Sequence, residues 1–481
     1  MGVADRIEKR GSEAMAESSD KNVSTAKLLA YAAPAFAMAV VGIPIYVYIP
    51  KFYTDVVGVH ITLLGSLILG VRLFDAVTDP FIGFVSDRTV TRFGRRRPYI
   101  SGGALLLALS IYFLFNPPEG SPTFDTVWFG IWIFSVFLFW TLVEVPYESL
   151  GPEITFDYHE RITLFAWRDG ALIAGTLVAA SSPALVSHIL QLSSTGADEK
   201  AKFFWIAVVY APLVVLFCGW CVSFIREQVP ISEPHRAGPV SGFRTVLRNR
   251  PFMILLASYT VAAFGSNLPA TLILYYVEYV LQSRMADVFL VLYFVTGVLF
   301  LPPWVILAKR TGKKAAWILS MAINTGAFVG VFLLGPGDDW IYGILVFFSG
   351  IGFGATIALP SSMQADVIDY DELITGERRE GHYIGLWSIT KKLAAALGVG
   401  SALSLLGAAG YTPNAAQSDQ VLWMLKVLYA LVPSACNLLA LAIALAYPIT
   451  SRIHEEIRRA TKDRSMGLQV EDPLHRGRIL T

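Results

Sequence analysis

Twelve apolar stretches, each near 20 residues and so able to cross a bilayer core of about 30 Å, occupy most of this 481-residue chain. They run near 28–50, 61–85, 98–117, 124–148, 161–190 and 203–225, and again near 251–280, 286–308, 315–335, 339–365, 382–409 and 419–448. Few soluble folds tolerate such a pattern. With 54% hydrophobic and only 16% charged residues, the chain lies well below the roughly 25% charge of an ordinary soluble domain. The formal net charge is +1, so no global basic field exists to hold nucleic acid. The spacing predicts an all-α membrane protein of twelve helices in two six-helix halves. Its parts are an N-terminal segment (1–27), a first half (28–225), a central loop (226–250), a second half (251–448) and a charged, mobile tail (449–481).

Where Lys and Arg sit sets the orientation. Arg6, Lys9, Arg10, Lys21 and Lys27 precede the first span, Arg88, Arg92, Arg95, Arg96 and Arg97 crowd the loop between spans two and three, and Arg226 to Arg250 stud the central loop. The alternate loops are poor in basic residues, so both termini are expected on the cytoplasmic side of a cytoplasmic (inner) membrane, without a removable signal peptide. A weak internal repeat points to duplication. Ser86 to Arg97, with Gly94 among bases, has a shorter counterpart in Lys309-Arg-Thr-Gly-Lys-Lys314 after span eight. Parallel six-span repeats around a central cavity are the pattern of the major facilitator architecture.

Charges inside the spans mark the candidate site, because each costs about 2.5–3.5 kcal/mol on insertion scales and tends to face a cavity or a partner. Span two holds Arg72-Leu-Phe-Asp75-Ala-Val-Thr-Asp79, and a separation of four stacks the two carboxylates on one helical face. Clustered oxygens suit a hard cation such as Na⁺, and paired acids also raise each other's proton affinity, so either ion fits. Span four places Thr141, Glu144 and Glu148 on successive turns; span five carries Arg168 and span eleven Lys391 and Lys392, neighbours that cannot face the same way. At 1.5 Å per residue, Asp79, Glu144 and Arg168 lie on the order of 10 Å from the cytoplasmic ends and Asp75 and Lys392 on the order of 16 Å. The competing reading is that buried ion pairs merely fasten helices, although such pairs stabilise poorly compared with packed apolar groups. Trp140 and Trp387 are candidates to stack on a sugar ring. Arg168 suits a hydroxyl pair or a carboxylate.

Phe52-Tyr-Thr-Asp-Val-Val-Gly58, Arg72 to Pro80, Gly94-Arg-Arg-Arg-Pro98, Glu144-Val-Pro-Tyr147, Asp366-Val-Ile-Asp-Tyr370 and Arg379-Glu-Gly381 through Lys392 together resemble the glycoside–pentoside–hexuronide:cation symporters, the melibiose permease group, over about 28–448. The resemblance implies cation ligation by Asp75 and Asp79 (the metal ligands if the ion is Na⁺), with Thr141 and Lys392 beside them, and substrate contact by Glu144 and Arg168. That family's helix-one aspartate falls near Ala39 and its helix-four tryptophan on Glu148, so galactoside specificity does not carry over. The same branch includes lysolipid carriers.

The expected function is cation-coupled symport of a sugar, glycoside or sugar acid by alternating access, with substrate held by Glu144, Glu148, Arg168, Trp140 and Trp387. A carrier of lysolipid or another amphiphile is the alternative, and a non-transporting sensor a third. Asp87, Arg88, Arg95, Arg96, Glu153, Glu160, Asp366, Asp369 and Arg379 form an expected cytoplasmic latch, against the view that these loop charges only set topology. No catalytic, metal-ligand or phosphate-loop constellation is visible, so neither an enzyme nor a resident cofactor is expected. The partners are a small substrate and the bilayer, not nucleic acid, and the chain is expected to act as a monomer. Cys218 and Cys221 form a CxxC inside an apolar run with no further Cys or His nearby and read as packing residues.

Overall fold

The computed structural model describes residues 24–480 apart from position 90 and the segments 156–157, 193–195, 226–245 and 377–378. Most of the N-terminal segment and of the central loop therefore lies outside the described residues. Within them the chain is almost wholly helical. The first six long helices are α1 (Thr25–Val57), α2 (Ile61–Arg88), α3 (Arg97–Phe115), α4 (Pro122–Ile154), α5 (Tyr158–Ile189) and α6 (Gly196–Phe224). The second set is α7 (Arg250–Val280), a bent α8 (Ala286–Leu299 and Leu301–Thr311), α9 (Lys313–Phe332), α10 (Asp339–Thr375), α11 (Glu380–Ala408) and α12 (Asp419–Leu445). Each falls on one of the twelve expected spans. The 40° bend of α8 sits at Phe300, just before Pro302-Pro303, which lack the amide hydrogens that would continue the ladder.

Several helices start where their sequences supply an acceptor for the unpaired first-turn amides. Ser121 caps α4 through Phe124 N–H, Asn249 caps α7 through Phe252 N–H, and Ser418 caps α12 through Val421 N–H. The two loop glycines of the suspected repeat behave alike: Gly94 has φ +106° and Gly312 φ +92°, both in the region that only glycine enters freely. A left-handed glycine thus stands in both the α2–α3 and the α8–α9 connections, although the first spans 89–96 and the second is Gly312 alone.

Where the halves meet, α2 packs lengthwise on α11. Small residues permit the approach: a Cβ at Gly400 would stand 2.7 Å from that of Leu69, and one at Gly407 would stand 2.2 Å from Thr62 Oγ1. This seam carries the site described below.

The tail departs from expectation. Ser451–Ser465 forms a helix, α13, capped by Thr450, and Val470–Glu471 (β1) pairs antiparallel with Ile479–Leu480 (β2). It docks on α10 instead of hanging free, because its charges meet complementary groups there. His454 Nε2 lies 3.0 Å from Asp369, Arg464 donates to the Leu373 carbonyl at 2.5 Å, and the Tyr370 hydroxyl donates to the fully buried Asp472 at 3.2 Å.

Candidate functional site

The register of α2 turns Asp75 and Asp79 toward one point, and two other helices complete it. From α4, the buried Thr141 hydroxyl lies 2.6 Å from Asp75 Oδ1 and 3.1 Å from Asp79 Oδ1. From α11, Lys392 Nζ lies 3.2 Å from Asp75 Oδ2 and 2.5 Å from Asp79 Oδ2. An ammonium thus occupies the space between the paired carboxylates, balancing charge that a low-dielectric interior would otherwise penalise heavily. Lys392 is contributed by the opposite half, so these pairs cross the seam.

Arg72, one turn before Asp75, reaches it only at 3.9 Å. Its guanidinium is sandwiched between Tyr46 and Phe137, 4.2 Å and 4.4 Å from the ring centroids, where cation–π attraction offsets part of its desolvation. Glu144 accepts a hydrogen bond from Trp140 Nε1 at 3.0 Å.

These groups border one cavity of about 630 Å³ between the halves, within the usual range for small-molecule sites. Asp75, Asp79, Trp140, Glu144, Glu148 and Lys392 all line it. Lys391 lines it too, although the two lysines do not face the same way: the cavity is wide enough to be bordered by both directions of the α11 surface. Arg168 and Trp387 are not among the lining residues. Arg168 pairs with Asp169 at 2.8 Å and lies over the Phe165 ring, and Trp387 stacks on Tyr259 with ring centroids 4.2 Å apart, leaving Tyr259 to line the wall. Depth along the helix placed Arg168 in the band of the site, and both side chains are engaged beside the cavity wall.

At the end where α1 joins α2, a network the sequence reading missed closes the gap between the halves. Lys51 pairs with Asp55 on its own helix and with Glu278 of α7 at 2.7 Å. Tyr411 donates to Asp55 at 2.7 Å, Tyr279 donates to it at 3.2 Å, and Tyr48 reaches Asp287 of α8 at 2.6 Å. Burial first, then the nearby Asp55 carboxylate, raise the pKa of the Tyr411 hydroxyl, which keeps it a donor. Charged residues at the ends of spans one and seven were the available signal.

At the opposite end, Asp366 pairs with Lys313, the first residue of α9, at 2.6 Å and stands 3.4 Å from His454. Both partners belong to the second half or its tail. Glu160 accepts from Thr155 at 2.5 Å, and Arg88 stacks over Phe84. Arg95, Arg96 and Arg379 are each engaged in interactions, while the side chains of Asp87 and Glu153 lie outside the described residues. Among the described residues no group of three or more acidic, His or Cys side chains is arranged to hold a metal. The described cation candidate is thus two carboxylates and a hydroxyl. Cys218 and Cys221 are buried and unbridged.

Twelve spans in two halves around a central cavity, its mostly apolar wall set with the in-span charges, define a membrane carrier of major facilitator type, not an enzyme. The chain belongs to the MFS/sugar transport protein family, whose model matches residues 30–451, and within it to the glycoside–pentoside–hexuronide:cation symporter group. It is 29% identical to the glucuronide carrier protein homolog of Escherichia coli (strain K12), over 88% of this chain and 91% of that one. It is 28% identical to the isoprimeverose transporter of Lactiplantibacillus pentosus, over 80% and 81%. Among solved structures, a bacterial homologue of the human drug peptide transporters PepT1 and PepT2 superposes with a TM-score of 0.65 at 13% identity, covering 91% of this chain and all of that one. That likeness speaks to fold alone.

Proposed function

We propose that the protein is a secondary symporter of the cytoplasmic membrane that couples Na⁺ or H⁺ entry to uptake of a sugar, glycoside or sugar acid. The observation that carries this is the Lys392 ammonium between Asp75 and Asp79 on the seam between the halves, in the wall of the cavity that Glu144 and Trp140 also line. The carrier relatives, named for glucuronide and isoprimeverose, support a sugar substrate.

A cation reaching the two carboxylates competes with Lys392 for the same oxygens. Its arrival weakens a contact that crosses the halves, so ion binding acts directly on the equilibrium between their two arrangements. Linkage then requires substrate to raise cation affinity by the factor that cation raises substrate affinity. With the basic α2–α3 loop in the cytoplasm, the Lys51–Asp55–Glu278 network closes the outer side, whereas the described pairs of Asp366 and Asp369 stay within the second half and its tail.

The test is uptake by purified protein in proteoliposomes, with a Na⁺ gradient and separately a pH gradient, over neutral glycosides, glucuronides, sulfosugars and lysolipids. Accumulation of a sugar driven by one gradient, abolished by Asp75→Asn and Asp79→Asn while downhill exchange persists, is expected. Undiminished concentrative uptake in both variants sinks the cation assignment. Accumulation of lysolipid alone moves the protein to the amphiphile class.

A further inference from the structure

The second-half wall of the cavity has a chemistry of its own. Among the described residues its charges are Lys391 and Lys392, both on α11, whereas α7, α9 and α12 contribute the neutral amides Asn267, Asn324 and Asn437. An asparagine in a membrane span is costly unless its amide is satisfied. Two of the three are satisfied in part. Asn267 donates to the Ala263 carbonyl at 2.7 Å, and Asn324 accepts from Ser349 at 2.9 Å, so the first retains an acceptor and the second two donors.

Asn437 differs. It is only 4% exposed, borders the cavity, and makes no hydrogen bond to any described residue. Helix α12 packs against both α7 and α9, which sets Asn437 between the helices that bear the other two amides. A buried amide facing a cavity with its oxygen and nitrogen both unclaimed is a recognition group awaiting a partner.

We infer that Asn437, flanked by Asn267 and Asn324, forms a subsite that hydrogen-bonds adjacent hydroxyls of an uncharged sugar ring. An amide presents an acceptor and a donor side by side, and neighbouring hydroxyls each offer both, so the match is bidentate and neutral. A carboxylate or sulfonate would find donors there but no countercharge. An anionic group on the substrate therefore points away from the three amides, toward Arg72 or the α11 lysines Lys391 and Lys392, and the amide face selects for a polyol. This rests on the sugar-symport reading and deepens it by naming the part of the substrate that the amide face takes.

The test is equilibrium binding by full-length purified protein, with melibiose, isoprimeverose and maltose as neutral probes, methyl β-D-glucuronide as the acidic one, and the coupling cation alone as control. Asn437→Ala is expected to weaken the neutral glycoside that binds best by about five- to tenfold, the loss of one or two hydrogen bonds, with cation affinity measured without sugar unchanged. Asn437→Ser and Asn324→Ala provide the same comparison should the first variant fold poorly. Unchanged glycoside affinity in the folded variants overturns the inference, as does a parallel loss of cation affinity, which would mark a packing role. If the wild type binds none of the neutral glycosides, the polyol subsite is refuted; the symport reading then survives on accumulation of a sugar acid and falls if no sugar accumulates at all.

Discussion

The two walls of the central cavity come from sequence halves of the same architecture, yet their chemistry has diverged. The first-half wall sets Arg72, Asp75, Asp79, Glu144 and Glu148 around the cavity. The second-half wall sets amides, hydroxyls and aromatic rings there, among them Ser320, Tyr293 and Asn437, and sends its charge across through Lys392. Electrostatic energy changes steeply with ion occupancy, whereas neutral hydrogen bonds barely respond to it. Confining the cavity's carboxylates to the first-half wall and its amides to the second separates an ion-responsive surface from a shape-reading one. Lys392 is where the two communicate.

The largest effect expected from disturbing that division belongs to Lys392→Gln. Two carboxylates then face each other without an ammonium, at a cost of about 3–5 kcal/mol for breaking a buried pair. Because the repulsion falls when one acid binds a proton or a cation, stability should recover as pH is lowered or Na⁺ is added, and diminish as pH rises. Thermal unfolding of the purified variant across pH and Na⁺ concentration measures this. A melting temperature that ignores both would show that the two acids are not the ion-responsive surface.

A smaller effect should follow from opening the contact between the halves far from the cavity. Lys51→Gln removes the cation that bridges Asp55 and Glu278, and a hydrogen bond to a charged group contributes about 1.5–3 kcal/mol, so the outward-open population should rise at least about tenfold. Labelling of Ser266→Cys, a cavity-lining position, by an impermeant thiol reagent from outside reports it, in a background with Cys218, Cys221 and Cys436 replaced. Equal labelling rates would mean that the walls are held together elsewhere.

The smallest change sharpens the comparison within one wall. Trp140→Phe keeps the ring but removes the N–H that holds Glu144, worth about 1 kcal/mol. Sugar KM is expected to rise about fivefold, while the number of cations moved per sugar stays constant. A change in that ratio would assign Glu144 to the ion and not to the substrate.

The hydrophobic pattern made all twelve spans legible, since a bilayer imposes a length that a sequence cannot disguise. The in-span acids were legible for a related reason: a charge at that depth is expensive enough to stand out residue by residue. Gly94 and Gly312 stood out because each sits among bases in the corresponding loop of its half. Asn267, Asn324 and Asn437 did not stand out, because a neutral amide carries no such signal and occurs in packed and cavity-facing positions alike. Arg168 was chosen for chemistry and depth and Trp387 for chemistry alone, whereas the facing of both is set by neighbouring helices. The tail was misread because a run of charges signals solvent unless one knows that Asp369 and Leu373 of α10 are waiting to receive it.

The linear order of residues therefore settled the membrane class, the number of spans and the pairing of Asp75 with Asp79, all consequences of periodicity along a single helix. Which lysine enters that pair, which aromatic faces the cavity, and how Lys51 closes the far end depend on rotation and contact between helices hundreds of residues apart. Those are decided by packing, where a turn of 100° separates a side chain inside the cavity from one outside it.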